Sequence, residues 1–573
     1  MRFLNHCSIL TTFKHCFIAG LLFGALNGTS VQAQSRSYST LPLVNSAPGR
    51  FETNQKIQNT PDYFHALSIY EDLVDSRGDY RLPVPGFSLA ESKRKVAFIE
   101  YDGPDIVIER KALEVCNEFG EQKDAAIAFL LGHELTHYYE KHCWRRAFVY
   151  DFKDLPVATE LSQIHDDVYH ETEADYLGGF LVYSAGYGMF DRGADLIDKL
   201  YKAYGLPDSI PGYPSLTDRK ILSKRSAEKM KALADVFDQA NLMNAIGNYR
   251  GALSLYKFIL EEYSSREIYN NMGFSAIHYA MEQMHPDSLP YHYSASLDLE
   301  SSIRSRGAEN DSTIHQLLKQ SIVYFDAAIS LDPHYAPAYY NKALAYALLK
   351  DVAKSRFYAE YEARPRAIGK KFEKLQEDID ILMALLEATN GDKKMAISKL
   401  TTLTAMGNQL AKINLELLEK KTSQAKATRT VSIPHVLNKY NLKQILEDFQ
   451  KEGSLPFDSL VSYPLNQFQK IYKDSPENSN LTAFYLDNEA TQTGTFFFGE
   501  VRTSGTSWKQ NIQSELINDL GQPNKTILTP AGQLFLYLEK NKLQGVRNQG
   551  MLFEIAKNQT ITKKYIFCEF KNL

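Results

Sequence analysis

At 573 residues with 44% hydrophobic content, the chain is too long for a single core and reads as about two to four globular domains. The net charge of −5 comes without an extended basic, aromatic-interleaved stripe, which argues against nucleic acid as a partner.

The first element is a targeting segment. Arg2 and Lys14 precede the apolar CFIAGLLFGAL, and Val31, Gln32 and Ala33 make a small-residue cleavage site. Residues 1–33 therefore read as a signal peptide cut after Ala33, with an uncleaved anchor as the alternative. No lipobox-like cysteine follows, and no later stretch reaches spanning length. The mature chain is expected to be extracytoplasmic, in the periplasm, with no transmembrane span. Loss of the segment removes Cys7 and Cys16 and leaves Cys116, Cys143 and Cys568, an odd count that is no disulfide framework. Cys116 and Cys143 flank the motif described next. They could pair in an oxidising compartment or stand as buried free thiols.

RKVAFIEYDGPDIVIERKALEVC predicts a β-hairpin turning at Asp102, Gly103 and Pro104, followed by a helix. Residues 124–142 contain no proline and only Gly132 as a breaker, and predict a buried helix. Within it lies HELTH. His133 and His137 are four apart, share a helix face, and can reach one ion at the roughly 2.0–2.1 Å of a Zn–N bond. Glu134, one step around, is placed as a general base toward water at such an ion. An apolar run leading into His, Glu and His makes their burial costly unless they are paired or bound to metal. Cys143 is discounted as a ligand because it stands six residues beyond His137.

A catalytic zinc needs a third protein ligand. YHETEADYLGGFLVYSAG predicts a second helix carrying three acids, Glu171, Glu173 and Asp175. Glu171 and Asp175 share a face, so one could bind the ion while the other holds the far N–H of a ligating histidine. Glu173 points elsewhere and is expected to be solvated. Three acids near a helix start can also simply complement its dipole.

HELTH followed by ETEAD resembles the HtpX and BepA group of gluzincin zinc metallopeptidases, whose pattern is HExxH and then ExxxD. The resemblance implies one zinc ion per chain, Glu171 as its third ligand and Asp175 as support. It also implies that a strand of the upstream hairpin is an edge that aligns substrate by backbone pairing. A further motif of that group, HPxxxxR, has its counterpart in YPSLTDR, residues 213–219, with tyrosine in place of histidine. That departure tells against a histidine-gated resting state. The Tyr213 hydroxyl is a candidate for the developing oxyanion, with simple packing as the other reading. Arg219 is expected to pair with an acid of the site, with a simple surface charge as the other reading. Residues 50–225 form the expected peptidase domain. No GxSxG or Walker-type loop points to other chemistry.

Residues 230–420 change texture to helical hairpins. AIGNYRGALSLYKFIL, EIYNNMGFSAIHYA and SIVYFDAAISLDPHYAPAYYNKALAYALL resemble tetratricopeptide repeats, which implies a concave surface for polypeptide substrates or an envelope partner. An insertion near 283–311 carries His285 and His292, read as a solvated loop rather than a metal site. After the basic link KKTSQAKATRT, residues 431–573 alternate as LTAFYLDN, GTFFFGEV, GQLFLYLEK, GMLFEIAK and KKYIFCEF. They predict a small α+β domain with an antiparallel sheet, helices preceding the strands. The fold class is thus α+β, mostly α: a helical zincin domain with a short hairpin, an α-solenoid, and an antiparallel sheet. The function expected is a zinc endopeptidase of the cell envelope serving protein quality control. The rival is a repeat scaffold or holdase whose zinc site is structural or vestigial.

Overall fold

The computed structural model describes residues 37–38, 56–142, 154–157, 167–293, 311–419 and 461–571, with breaks that include 92–94, 101–103, 209–213 and 502–511. The signal segment, Cys143, Tyr213, the basic link and residues 431–460, where helices were expected ahead of the first strands, lie outside the described residues. The protein is α+β and mostly helical, with one mixed and one antiparallel sheet.

The first sheet has the order β1-β4-β5-β3-β2, with β1 Ser37–Tyr38, β2 Lys56–Ile57, β3 Gly86–Ala90, β4 Ala97–Glu100 and β5 Asp105–Glu109. β4 and β5 form the predicted hairpin, with Ala97 opposite Ile108 and Glu100 opposite Asp105. Only β3 and β5 run parallel. Alternation sorts the strands' side chains. Leu89, Ile99, Ile106 and Ile108 join the core beneath the helices, while Ala90, Phe98 and Val107 cluster on the other face. β4 is not an edge among the described residues, because β1 pairs along it, Ser37 opposite Glu100 and Tyr38 opposite Ile99.

α1 (Pro61–Arg77) starts where the Thr60 side chain accepts from the Tyr63 amide at 3.2 Å, and ends at Gly78, whose φ of 55° suits a residue without Cβ. α2 (Arg110–Asn117) follows β5 directly, and α3 (Lys123–Tyr139) is buried from Ala125 onward. The sequence predicts this helix as far as residue 142. It stops at Tyr139 because Lys141 takes a left-handed φ of 57°. There the Lys141 amide bonds the Tyr138 carbonyl at 3.2 Å, and the His142 amide bonds the His137 carbonyl at 3.1 Å.

α4 (Asp167–Val182) continues as a π-helical turn over Tyr183–Tyr187. α3 and α4 cross almost in backbone contact. A Cβ on Gly178 would lie 2.8 Å from the carbonyl carbon and oxygen of Gly132, and one on Gly132 would lie 2.9 Å from the Gly178 oxygen. The helices run antiparallel there, since His137, further along α3, meets Glu171, earlier in α4.

α5 (Gly193–Tyr204) and the long α6 (Leu216–Ile246) close the module. Antiparallel hairpins follow: α7 (Tyr249–Leu260), α8 (Arg266–Gln283), α9 (Asp311–Leu331), α10 (Ala336–Leu348) and α11 (Val352–Arg356), which runs on through a π-helical stretch, Phe357–Ala363. α12 (Leu375–Thr389), α13 (Lys393–Ala405) and α14 (Gln409–Leu418) complete the array. The Gly-Asn-Tyr turn works as a cap, with Asn248 Oδ1 accepting from the Gly251 amide at 2.9 Å. The insertion is tied down beside His292, whose backbone N–H and C=O both bond the Asn414 side chain at 2.8 Å. Arg266 pairs with Asp332 inside the array at 2.5 Å and anchors the array to the first module through Asp75 of α1 at 2.8 Å.

The second sheet has eight described strands, all antiparallel, in the order β10-β11-β12-β13-β9-β8-β7-β6. They are β6 Val461–Asn466, β7 Gln469–Asp474, β8 Leu481–Asn488, β9 Thr493–Val501, β10 Lys525–Thr529, β11 Gly532–Leu538, β12 Val546–Ala556 and β13 Ile561–Lys571. A short helix, α15 (Gln513–Leu520), precedes β10. β6, β7 and β10 were not foreseen from alternation; Pro464 sits in β6, an edge strand, where a missing N–H is tolerated. One face of this sheet shares a core with the helices. Phe484, Phe497, Leu536, Leu552 and Phe567 pack with Tyr176 and Phe180 of α4 and with α6 to α8. Among the described residues, no helix is long and apolar enough to cross a membrane.

Candidate metal centre

The α3–α4 crossing brings the sequence-predicted ligands together. One ligand atom each from His133, His137 and Glu171 lies within 4.8 Å of the others, and all three residues are buried. His133 Nε2 is 3.1 Å from His137 Nε2 and 3.5 Å from Glu171 Oε2, and His137 Nε2 is 3.6 Å from Glu171 Oε1. These three residues could hold a metal ion, and they are the one such group among the described residues; His285 and His292 do not belong to it.

The remaining atoms of each ligand are engaged. His133 donates from Nδ1 to Asp175 Oδ1 at 2.8 Å, which turns Nε2 inward. Arg219 donates from Nη1 to Glu171 Oε2, and its Nη2 lies 3.9 Å from Asp175 Oδ1. It reaches them from the first turn of α6, where Ser215 caps the helix by accepting from the Asp218 amide at 3.1 Å. Glu134 is wholly buried one step along α3 from His133. Tyr213 lies outside the described residues.

The electrostatics follow from burial opposed by pairing. Burial pulls the His133 imidazole down, but its hydrogen bonds to Asp175 and Glu171 outweigh that and push it up to about 10. Burial dominates at His137 and drives it well below the usual histidine value. Burial would raise Glu171, yet Arg219 and then His133 overcome it and hold the carboxyl at about 2. Desolvating each charge costs several kcal/mol, which decides that carboxylates and cation must stay together or share an ion.

Two neighbours of the site, His142 and His170, were not read from the sequence. His142 is buried, with Nδ1 at 2.8 Å from His137 Nδ1 and Nε2 at 3.0 Å from Glu173 Oε2. Glu173, expected to face solvent alone, instead takes that bond, which is the first cause holding its carboxyl below the ordinary range. The His170 ring stacks on His142, with centroids 4.4 Å apart and planes at 12°. The only signal for His142 was a third histidine five residues after His137, hidden by the expectation that the helix continued. Cys116 is a free, buried thiol, as is Cys568.

A mostly helical α+β protein with a buried two-histidine, one-glutamate group able to hold a metal is the class that fold and site define. In comparisons of the sequence with protein-family models and with curated proteins, none matches.

Proposed function

We propose that the protein is a zinc-dependent endopeptidase of the cell envelope, and the observation that carries this reading is the convergence of His133, His137 and Glu171 beside buried Glu134. Two imidazole nitrogens and one carboxylate oxygen suit zinc, and three protein ligands leave a position for solvent. When bound, zinc supplies Lewis acidity toward a peptide carbonyl and toward water. The chain's own residues do the rest. Glu134 accepts the proton of the attacking water on its carboxylate and returns it to the leaving amine. Asp175 keeps the His133 Nδ1 proton in place, and Arg219 orients Glu171 from behind. The paired helices α7 to α14 support a tetratricopeptide-like reading, in which their surface docks extended polypeptides or an envelope partner. The targeting segment read at residues 1–33 is what supports the envelope location.

The test uses the full chain loaded with zinc and an unfolded protein such as reduced casein. Glu134→Gln is expected to cut the cleavage rate by about 10²- to 10⁴-fold while metal content stays at the wild-type value. Equal cleavage by both proteins would remove Glu134 from the chemistry. Failure of the zinc-loaded wild type to cleave any unfolded polypeptide would favour a repeat scaffold.

A further inference from the structure

The two imidazoles on α3 are supported differently at their far nitrogens. His133 meets a carboxylate directly, Asp175 Oδ1 at 2.8 Å. His137 meets another imidazole: its Nδ1 lies 2.8 Å from His142 Nδ1, and His142 Nε2 in turn lies 3.0 Å from Glu173 Oε2. The carboxylate is one ring further away.

Proton counting leaves one arrangement once His137 Nε2 gives its lone pair to an ion. A neutral imidazole has one N–H, so the His137 proton is then on Nδ1. His142 Nδ1 must accept it, which puts the His142 proton on Nε2. That N–H points at Glu173 Oε2. The other Glu173 oxygen accepts the Tyr169 hydroxyl at 3.2 Å. Every donor in the chain has an acceptor, and the direction of donation runs outward from the ion.

We propose that His142 and Glu173 are positioning residues that lock His137 in the Nδ1–H tautomer and carry the charge of Glu173 to it through the interposed ring. This deepens the metal-site reading above and rests on it. The turn that ends α3 is built for the task. Residue 142 is held to residue 137 twice, by its amide on the His137 carbonyl at 3.1 Å and by its ring on the His137 ring, while His170 stacked at 4.4 Å fixes the plane. Glu173 is 26% exposed against 3% for Asp175, so this support, unlike the one at His133, reaches the surface of the protein.

Zinc affinity of the full chain, measured by competition with a chromophoric chelator, tests the relay, with circular dichroism of each metal-free variant as the folding control. His142→Leu removes the acceptor and is expected to lose about 10- to 100-fold in affinity. His142→Asn places an amide oxygen where Nδ1 stood and is expected to recover most of that loss, which a merely space-filling role would not produce. Glu173→Gln, on the outer side of the relay, is expected to fall between them and keeps the test decisive should His142→Leu not fold. Wild-type affinity in folded His142→Leu, equal weakness of the Asn and Leu variants, or an unchanged Glu173→Gln would overturn the relay alone. A wild-type protein that takes up no zinc would overturn the relay and the metal reading together.

Discussion

Among the described residues, glycine permits close helix contacts at the α8–α9 and α3–α4 crossings, and the two differ in what fills the space. At the α8–α9 contact, a Cβ on Gly273 would lie 2.3 Å from the Phe325 ring, so the small residue makes room for an apolar side chain. At the α3–α4 contact, Gly132 and Gly178 bring backbone against backbone, and His133, His137, Glu171 and Asp175 all lie within two turns of it. The first contact is core packing. The second sets a distance between ligands, and a ring can shift where a carbonyl in a helix cannot.

The largest effect is therefore expected from Gly178→Ala. Its methyl would meet Gly132 backbone at 2.8 Å, forcing the helices apart. Zinc uptake at micromolar metal, read by elemental analysis of the desalted protein, is expected to be lost. Retained uptake would show that the crossing does not set the ligand spacing.

A smaller effect comes from pH. Without metal, His133 keeps its second proton up to about 10, because the Asp175 and Glu171 carboxylates outweigh burial. His137 is depressed and Glu171 sits at about 2, so neither has a proton to give up at neutral pH. Metal must displace one proton, and zinc affinity should rise about tenfold per pH unit between pH 6 and 8. A pH-independent affinity would mean that His133 is already neutral in the free protein.

Least affected should be Gly273→Ala. Overpacking against Phe325 is expected to cost about 1 to 3 kcal/mol in urea unfolding while zinc content stays at the wild-type level. Loss of metal in this variant would tie the repeats to the site more tightly than the shared core suggests.

Much of the ligand set was legible because it depends on local geometry. A proline-free apolar run makes α3, four-residue spacing puts His133 and His137 on one face, and the same spacing links Glu171 to Asp175. The hairpin of β4 and β5 was legible for the same reason, through its turn residues. What was hidden is non-local or breaks a local rule. The α3 turn uses Lys141 rather than glycine in the left-handed region, so no stop signal announced that His142 would fold back over His137. That Arg219 pairs with a site acid was expected from the YPSLTDR motif, but that the acid is Glu171 emerges only from the packing of α6 on α4. β1 lies along β4 from a segment with no strand pattern, and the second sheet's contact with α4 joins residues hundreds of positions apart.

Everything proposed for the site requires that His133, His137 and Glu171 together hold one divalent ion. Elemental analysis of the full chain after zinc loading and desalting, beside Glu171→Gln handled identically, tests it most directly. The expected result is about one zinc per chain in the wild type and well under half of that in the variant. Zinc absent from both, or equal in both, would contradict it.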